Sequence, residues 1–243
     1  MRHIPFDISR AAIEYLKMEK KKNENGFLNL IINVVIPSLI LVKLSADDRL
    51  GQVYSLILAL AFPIGYGVYD YIKSKKLNFI SALGLISVLL TGGIGLFKLN
   101  KDWMVVKETA IPLIIGIAVL ISQRTKYPLV RTILNQVFDL EKIDEEFKKS
   151  GHDELFEKNI KTSGVWLGLT FFISAALNYI LAVMILKGEP GSVEFNESLG
   201  KMTALSFPVI SVPMLIMVGV IIFVLVNSIK KYTSLELEDI VKQ

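Results

Sequence analysis

The chain has 243 residues, 52% of them hydrophobic, with a mean hydropathy of +0.52 and a formal net charge of +4. It contains no cysteine, which excludes disulfides, thiolate nucleophiles and cysteine metal sites. Its two histidines, His3 and His152, both lie outside the apolar stretches, so a histidine-held haem or zinc inside one is excluded, and no metal or other cofactor is expected.

Residues 1–26 carry charge throughout and lack the uninterrupted apolar core of a signal peptide. Ile4, Ile8, Ala12 and Leu16 recur at helical spacing ahead of Lys20, Lys21 and Lys22. This segment reads either as an amphipathic helix on an anionic membrane surface or as a solvated tail with a basic anchor. Six apolar stretches follow, at 27–44, 52–72, 78–97, 107–122, 163–186 and 205–229. A bilayer core of about 30 Å takes roughly 20 helical residues. The stretches are apolar on all sides rather than alternating, so helices are predicted and not barrel strands. Between the fourth and fifth lies a polar linker, 123–162. There Val137, Leu140, Ile143 and Phe147 predict a short helix, Leu155 and Ile160 a second, and Ser150-Gly151 the break between them. Residues 230–243 form a tail.

Of the 27 Lys and Arg residues, 20 fall in the N-terminal segment, the second and fourth connections and the tail, against 7 on the alternate side. Positive charge concentrates on the cytoplasmic side. The prediction is therefore an all-α membrane protein, a six-transmembrane-helix bundle with both termini cytoplasmic. Its basic residues fit that topology, and nucleic acid is not an expected partner; membrane lipids are.

Polar residues within spans should face inward. Asn29 and Asn33 share a face of the first span, and Tyr66 and Asp70 share one with Pro63 on the second. Both sets fall in the cytoplasmic half. One reading is a polar cavity open to the cytoplasm with Asp70 binding a proton or cation. The other makes Asp70 an interfacial anchor paired with Lys73 or Lys76. Small residues mark close packing: Gly92, Gly93 and Gly95 in the third span, with Gly84, Ser87 and Thr91, and Gly164, Gly168 and Asn178 in the fifth. Such packing serves one chain or a homo-oligomer. Prolines 37, 63, 112, 208 and 213 predict kinks.

Catalytic signatures are lacking. Tyr69-Asp70 would need a second carboxylate nearby to act as an aspartyl pair, and Glu108 opens the fourth span on the opposite side. The sequence holds no phosphate loop, no serine–histidine arrangement and no metal-binding His-Glu-x-x-His. No catalytic residue is assigned, and the chain reads as a non-enzyme.

The stretch Thr91-Gly92-Gly93-Ile94 through Trp103, Lys107 and Thr109 resembles the Gly-Gly segment and following Lys-x-Thr of the intracellular septation protein A family. Pro128-Leu129-Val130-Arg131 and Ala176-Leu177-Asn178 add to the likeness. The run Phe62 to Gly67 and the run Asn196 to Pro208 are similar to an uncharacterised relative of that family. The resemblance covers 27–229 and is strongest over 84–134. Segment 1–26 and the longer charged loop at 136–162 depart from the family pattern. The resemblance implies a small polytopic protein of the bacterial inner membrane, linked to division and envelope integrity, with division or cell-wall-synthesis proteins as partners. The alternative from the span residues is a small-solute or proton-coupled transporter using Asn29, Asn33, Tyr66 and Asp70.

Overall fold

The computed structural model describes residues 29–75, 79–125 and 128–241, so the segment 1–26 lies outside the described residues. Among them every regular element is helical; the only strand-like feature is a single bridge between Phe138 and Val241. Helix α1 is a widened turn, Ile31–Val35, running into Ile36–Leu44; α2 is Gly51–Ser74, α3 Phe79–Leu96 and α4 Asp102–Ser122. Then come α5, Leu129–Leu134, α6, Leu140–Lys149, and α7, Asp153–Ile185. Helix α8, Val193–Ser206, passes through a second widened turn, Phe207–Ser211, into α9, Val212–Tyr232, and α10 is the short Leu237–Ile240.

Among the described residues, four continuous helical stretches are long and apolar enough to cross a membrane: Gly51–Lys73, Asp102–Ser122, Asp153–Ile185 and Val193–Tyr232. Two apolar helices, Ile31–Leu44 and Leu83–Leu96, are shorter among the described residues. The long helices overrun the predicted spans. At 1.5 Å per residue, the 33 residues of α7 extend about 50 Å and the 40 of Val193–Tyr232 about 60 Å. The second linker helix is thus the N-terminal end of α7, and much of the connection predicted at 187–204 is helix α8.

Both widened turns have the same cause. Pro37 and Pro213 lack an amide hydrogen, and a proline ring crowds the carbonyl four residues back. The residue ahead of each proline bonds five residues back instead, Ile36 to the Ile31 carbonyl and Val212 to that of Phe207. The helix widens by one residue and the clash is relieved. Ser38 supports the first turn by donating its hydroxyl to the Val34 carbonyl at 2.6 Å.

The helices form two compact units. The first holds the chain up to Asn100 with Lys187–Ala204; the second holds Lys101–Leu186 with the chain from Leu205. In the first, α1 and α3 pack on α2, and Gly200 of α8 lies against the Ser38 carbonyl and Leu41. Three connections converge there. Asn196, fully buried, donates to Ser45 Oγ at 3.1 Å and to the Gln52 carbonyl at 2.7 Å, and Gly191, at φ +91°, lies on the Lys98 side chain.

In the second unit, α4 and α7 share the most extensive helix contact of the fold. At the other end of α7 a separate apolar core forms a cap. Val130 and Leu134 of α5, Ile143 and Phe147 of α6, Phe156 and Ile160 of α7, Leu225 and Ile229 of α9, and Ile240 of α10 meet in it. Asp139 caps α6 by accepting from the Lys142 amide at 3.2 Å. Gly151, at φ +72°, supplies the left-handed turn that ends it. The tail is tied back to this core by the Asp139 amide on the Ile240 carbonyl at 2.8 Å and by Lys142 Nζ on the Asp239 carbonyl at 2.9 Å.

Candidate functional site

The four residues of the predicted cavity lie on two packed helices, α1 and α2. Asn29 precedes the widened turn, and Asn33 sits within it and donates to Asn29 Oδ1 at 3.1 Å, a single bond that links the two amides along the helix. Tyr66 is half-buried and Asp70 is exposed. Lys73, one of the two lysines that the anchor reading offers to Asp70, holds its ammonium 5.8 Å from the centre of the Tyr69 ring. Lys76 lies outside the described residues.

The small residues are seated against specific neighbours. A Cβ on Gly92 would come within 2.9 Å of Leu60, and one on Gly95 would overlap Leu56, so α3 sits close on α2. Gly93 faces only its own Phe97. Gly164 is covered by the Gln123 side chain, which donates to the Val119 carbonyl at 3.2 Å. Gly168 faces Leu120 and the Gly116 carbonyl, and a Cβ on Gly116 would lie 3.1 Å from the Gly168 carbonyl. Asn178 turns back along α7, donating to the Ser174 carbonyl at 2.8 Å. In α4, Lys107 is buried and bonds Glu108 at 2.7 Å.

The cap carries an open groove of about 550 Å³ between α6 and the start of α7. Asp144 and Lys148 line it from α6; Asp153, Glu154, Glu157, Lys158, Lys161 and Thr162 line it from α7. Three of its charges are satisfied within the cap or on one helix. Lys148 bonds Asp144 at 2.6 Å, and that hydrogen bond, with the carboxylate charge, holds the ammonium above the ordinary lysine range. Glu157 bonds Arg131, whose guanidinium also lies 5.7 Å from the Phe156 ring centre. No cluster of three metal-ligating side chains occurs among the described residues.

Comparison of the chain with family models, curated proteins and solved structures finds no match.

The cap core escapes sequence reasoning because its walls come from distant segments, 130–160 and 225–240, whereas the two walls of the groove are neighbours in sequence. The tail meets the linker about a hundred positions away, at Lys142 and Asp239. The Asp239 carboxylate sits below its ordinary value of 3.8, first through the Glu236 amide that donates to it and then through the charge of Lys142. A depressed carboxylate contributes stability above its unfolded pKa and loses it as pH falls through the folded value. The protection of the Leu235–Val241 amides, their exchange measured against the intrinsic rate at each pH, is therefore expected to hold down to about pH 4 and to fall below it. Asp239→Asn should remove that acid step and exchange faster at neutral pH. An unchanged profile in the variant would contradict the assignment.

Proposed function

We propose that the chain is a non-enzymatic, multi-pass protein of the bacterial inner membrane that supports envelope integrity or septation through protein and lipid contacts. Six helices cross the bilayer in this reading, and both termini are cytoplasmic. The observation that carries it is the cap. A buried apolar core with a charged outer face, built on the ends of two long apolar helices, offers a folded platform for contacts. Glu141, Lys142 and Glu145 of α6 are exposed on that face.

The connections support the crossing number. Those after the first, third and fifth apolar helices meet in the first unit, at Ser45, Lys98, Gly191 and Asn196. The linker after the fourth meets the tail in the second. Alternate connections gathered at one end are what six antiparallel crossings require. The distribution of positive charge favours the linker and tail as the cytoplasmic side. The likeness of Thr91–Thr109 to the septation protein A family supplies the process. In-cell crosslinking tests the reading. Recovery of division or wall-synthesis proteins with the intact chain, and their loss from Glu141→Lys/Glu145→Lys, is the expected result. Recovery of none, with normal septation in a deletion strain, would overturn it.

A second reading, transport, draws on the widened turn at Asn33. Transporters form midplane sites where helices depart from regular geometry, and Asn29 and Asn33 stand at such a departure beside the helix that bears Tyr66 and Asp70. Solute uptake by the protein in liposomes, abolished by Asp70→Asn, would favour it over scaffolding.

A further inference from the structure

The charges along the cap groove are ordered. Thr162 and Lys161 stand at the end next to the apolar part of α7, and Lys158 follows one turn away. Farther from the apolar segment come Glu154 and Asp153. Their spacing of three, four and seven residues puts them on one helix face. Lys148 and Glu157 are already matched by Asp144 and Arg131. Lys158, Lys161, Glu154 and Asp153 enter no ion pair among the described residues, so the groove presents two cations near the apolar segment and two carboxylates beyond them.

We propose that this groove binds the headgroup of an aminophospholipid, its phosphate on Lys158, Lys161 and Thr162 and its ammonium on Glu154 and Asp153. The inference rests on the membrane reading above, with the cap on the cytoplasmic face. In a phosphatidylethanolamine the phosphate is attached to the glycerol, nearest the acyl chains, and the ammonium lies one ethylene unit farther out. That polarity matches the order of charges on α7. Lys158 and Glu154 are one turn apart, about 5.4–6 Å along the axis, a distance that a phosphate–ethylene–ammonium unit spans. Phosphate oxygens accept charge-assisted bonds from the lysines and the Thr162 hydroxyl, and the primary ammonium donates to the carboxylates. A headgroup without an amine leaves those carboxylates unmatched, and a trimethylated one offers them no N–H. The 550 Å³ of the groove accommodates one headgroup.

The test uses the full chain in nanodiscs of equimolar phosphatidylcholine, phosphatidylethanolamine and phosphatidylglycerol. Lipid retained after transfer to detergent is identified by native mass spectrometry. The intact chain is expected to retain phosphatidylethanolamine over each of the others by roughly five-fold, the factor that about 1 kcal/mol of ion pairing confers. Asp153→Asn/Glu154→Gln should shift the preference to phosphatidylglycerol, and Lys158→Gln/Lys161→Gln should lose retention of all three. All four side chains are outside the cap core, and unchanged helical circular dichroism verifies the fold of each variant. Equal retention of the three headgroups by the intact chain, preference for phosphatidylglycerol, or variants that keep the intact chain's preference would overturn the proposal. Resistance to alkaline extraction reads membrane insertion separately. A chain released by that treatment overturns the membrane reading and this proposal together, whereas an inserted chain without headgroup preference overturns this one alone.

Discussion

Replacing Phe156 with alanine is expected to unfold the cap while the apolar helices stay formed. Phe156 and Phe147 are both fully buried, and their rings stack with centroids 5.2 Å apart and planes 27° from parallel. Removing a buried phenylalanine ring costs about 3–5 kcal/mol, combining lost transfer energy with the cavity left behind. The cap core comprises twelve buried residues. A core that small has little stability in reserve. The lost ring also underlies Arg131, so the α5 end of the core loses its aromatic support as well. Limited proteolysis should then cut within residues 137–151, at sites the intact chain protects, and amide exchange should rise across α6 and α10. The exchange of α4 should stay as it was. Val137→Ala is the control, because Val137 is exposed and its truncation should change nothing measurable. A Phe156→Ala protein as resistant as the intact one would show that the cap does not depend on this core.

The apolar helices were readable because their composition is extreme on every side. Their ends were not, because a helix end is decided by partners rather than by hydropathy. Residues 193–204 look polar, with Glu194, Asn196, Glu197 and Lys201. Yet Phe195, Leu199 and Met202, at spacings of four and three, are buried, while Glu194 and Lys201 are exposed. The amphipathic period is present but hidden in a low average. Within the linker, Leu140, Ile143 and Phe147 are buried as their spacing predicts. Val137 is exposed because α6 starts only after Asp139, and the chain ahead of it pairs with Val241. Leu235 and Ile240 are too few to announce a period, and the partners that bury them lie far back in the chain. In the candidate cavity, the shared face of Asn29 and Asn33 was legible as a spacing. That the two amides bond each other was not, because it depends on side-chain rotamers that a widened turn helps to set. For close packing, the Gly164-x-x-x-Gly168 motif was visible, whereas Gly116, the lone glycine of an apolar run, carried no signal of its own.

That difference between a visible glycine and its invisible partner gives the second large expected effect. Gly168→Val should destabilise the α4–α7 pair, and Leu120→Ala should restore part of the loss. A Cβ at 168 would stand 2.6 Å from Leu120 Cδ2 and 2.7 Å from its Cγ, well inside contact distance, but only 3.5 Å from the Gly116 carbonyl. The obstruction is therefore chiefly one leucine side chain. Overpacking of this kind costs typically 1–3 kcal/mol, and shortening Leu120 removes the atoms that clash. Gly116→Val meets a different obstacle. Its Cβ would lie 3.1 Å from the Gly168 carbonyl and 3.1 Å from Phe171 Cβ, atoms fixed by the backbone of α7. No side-chain truncation on α7 can clear them, so the helices themselves must separate. This variant should be at least as destabilised as Gly168→Val and should gain nothing from Leu120→Ala. Thermal unfolding in detergent of the two single variants and both double variants measures the contrast as a double-mutant cycle. Rescue of neither glycine variant, or of both equally, would mean that α4 and α7 do not meet through the Gly116–Gly168 contact.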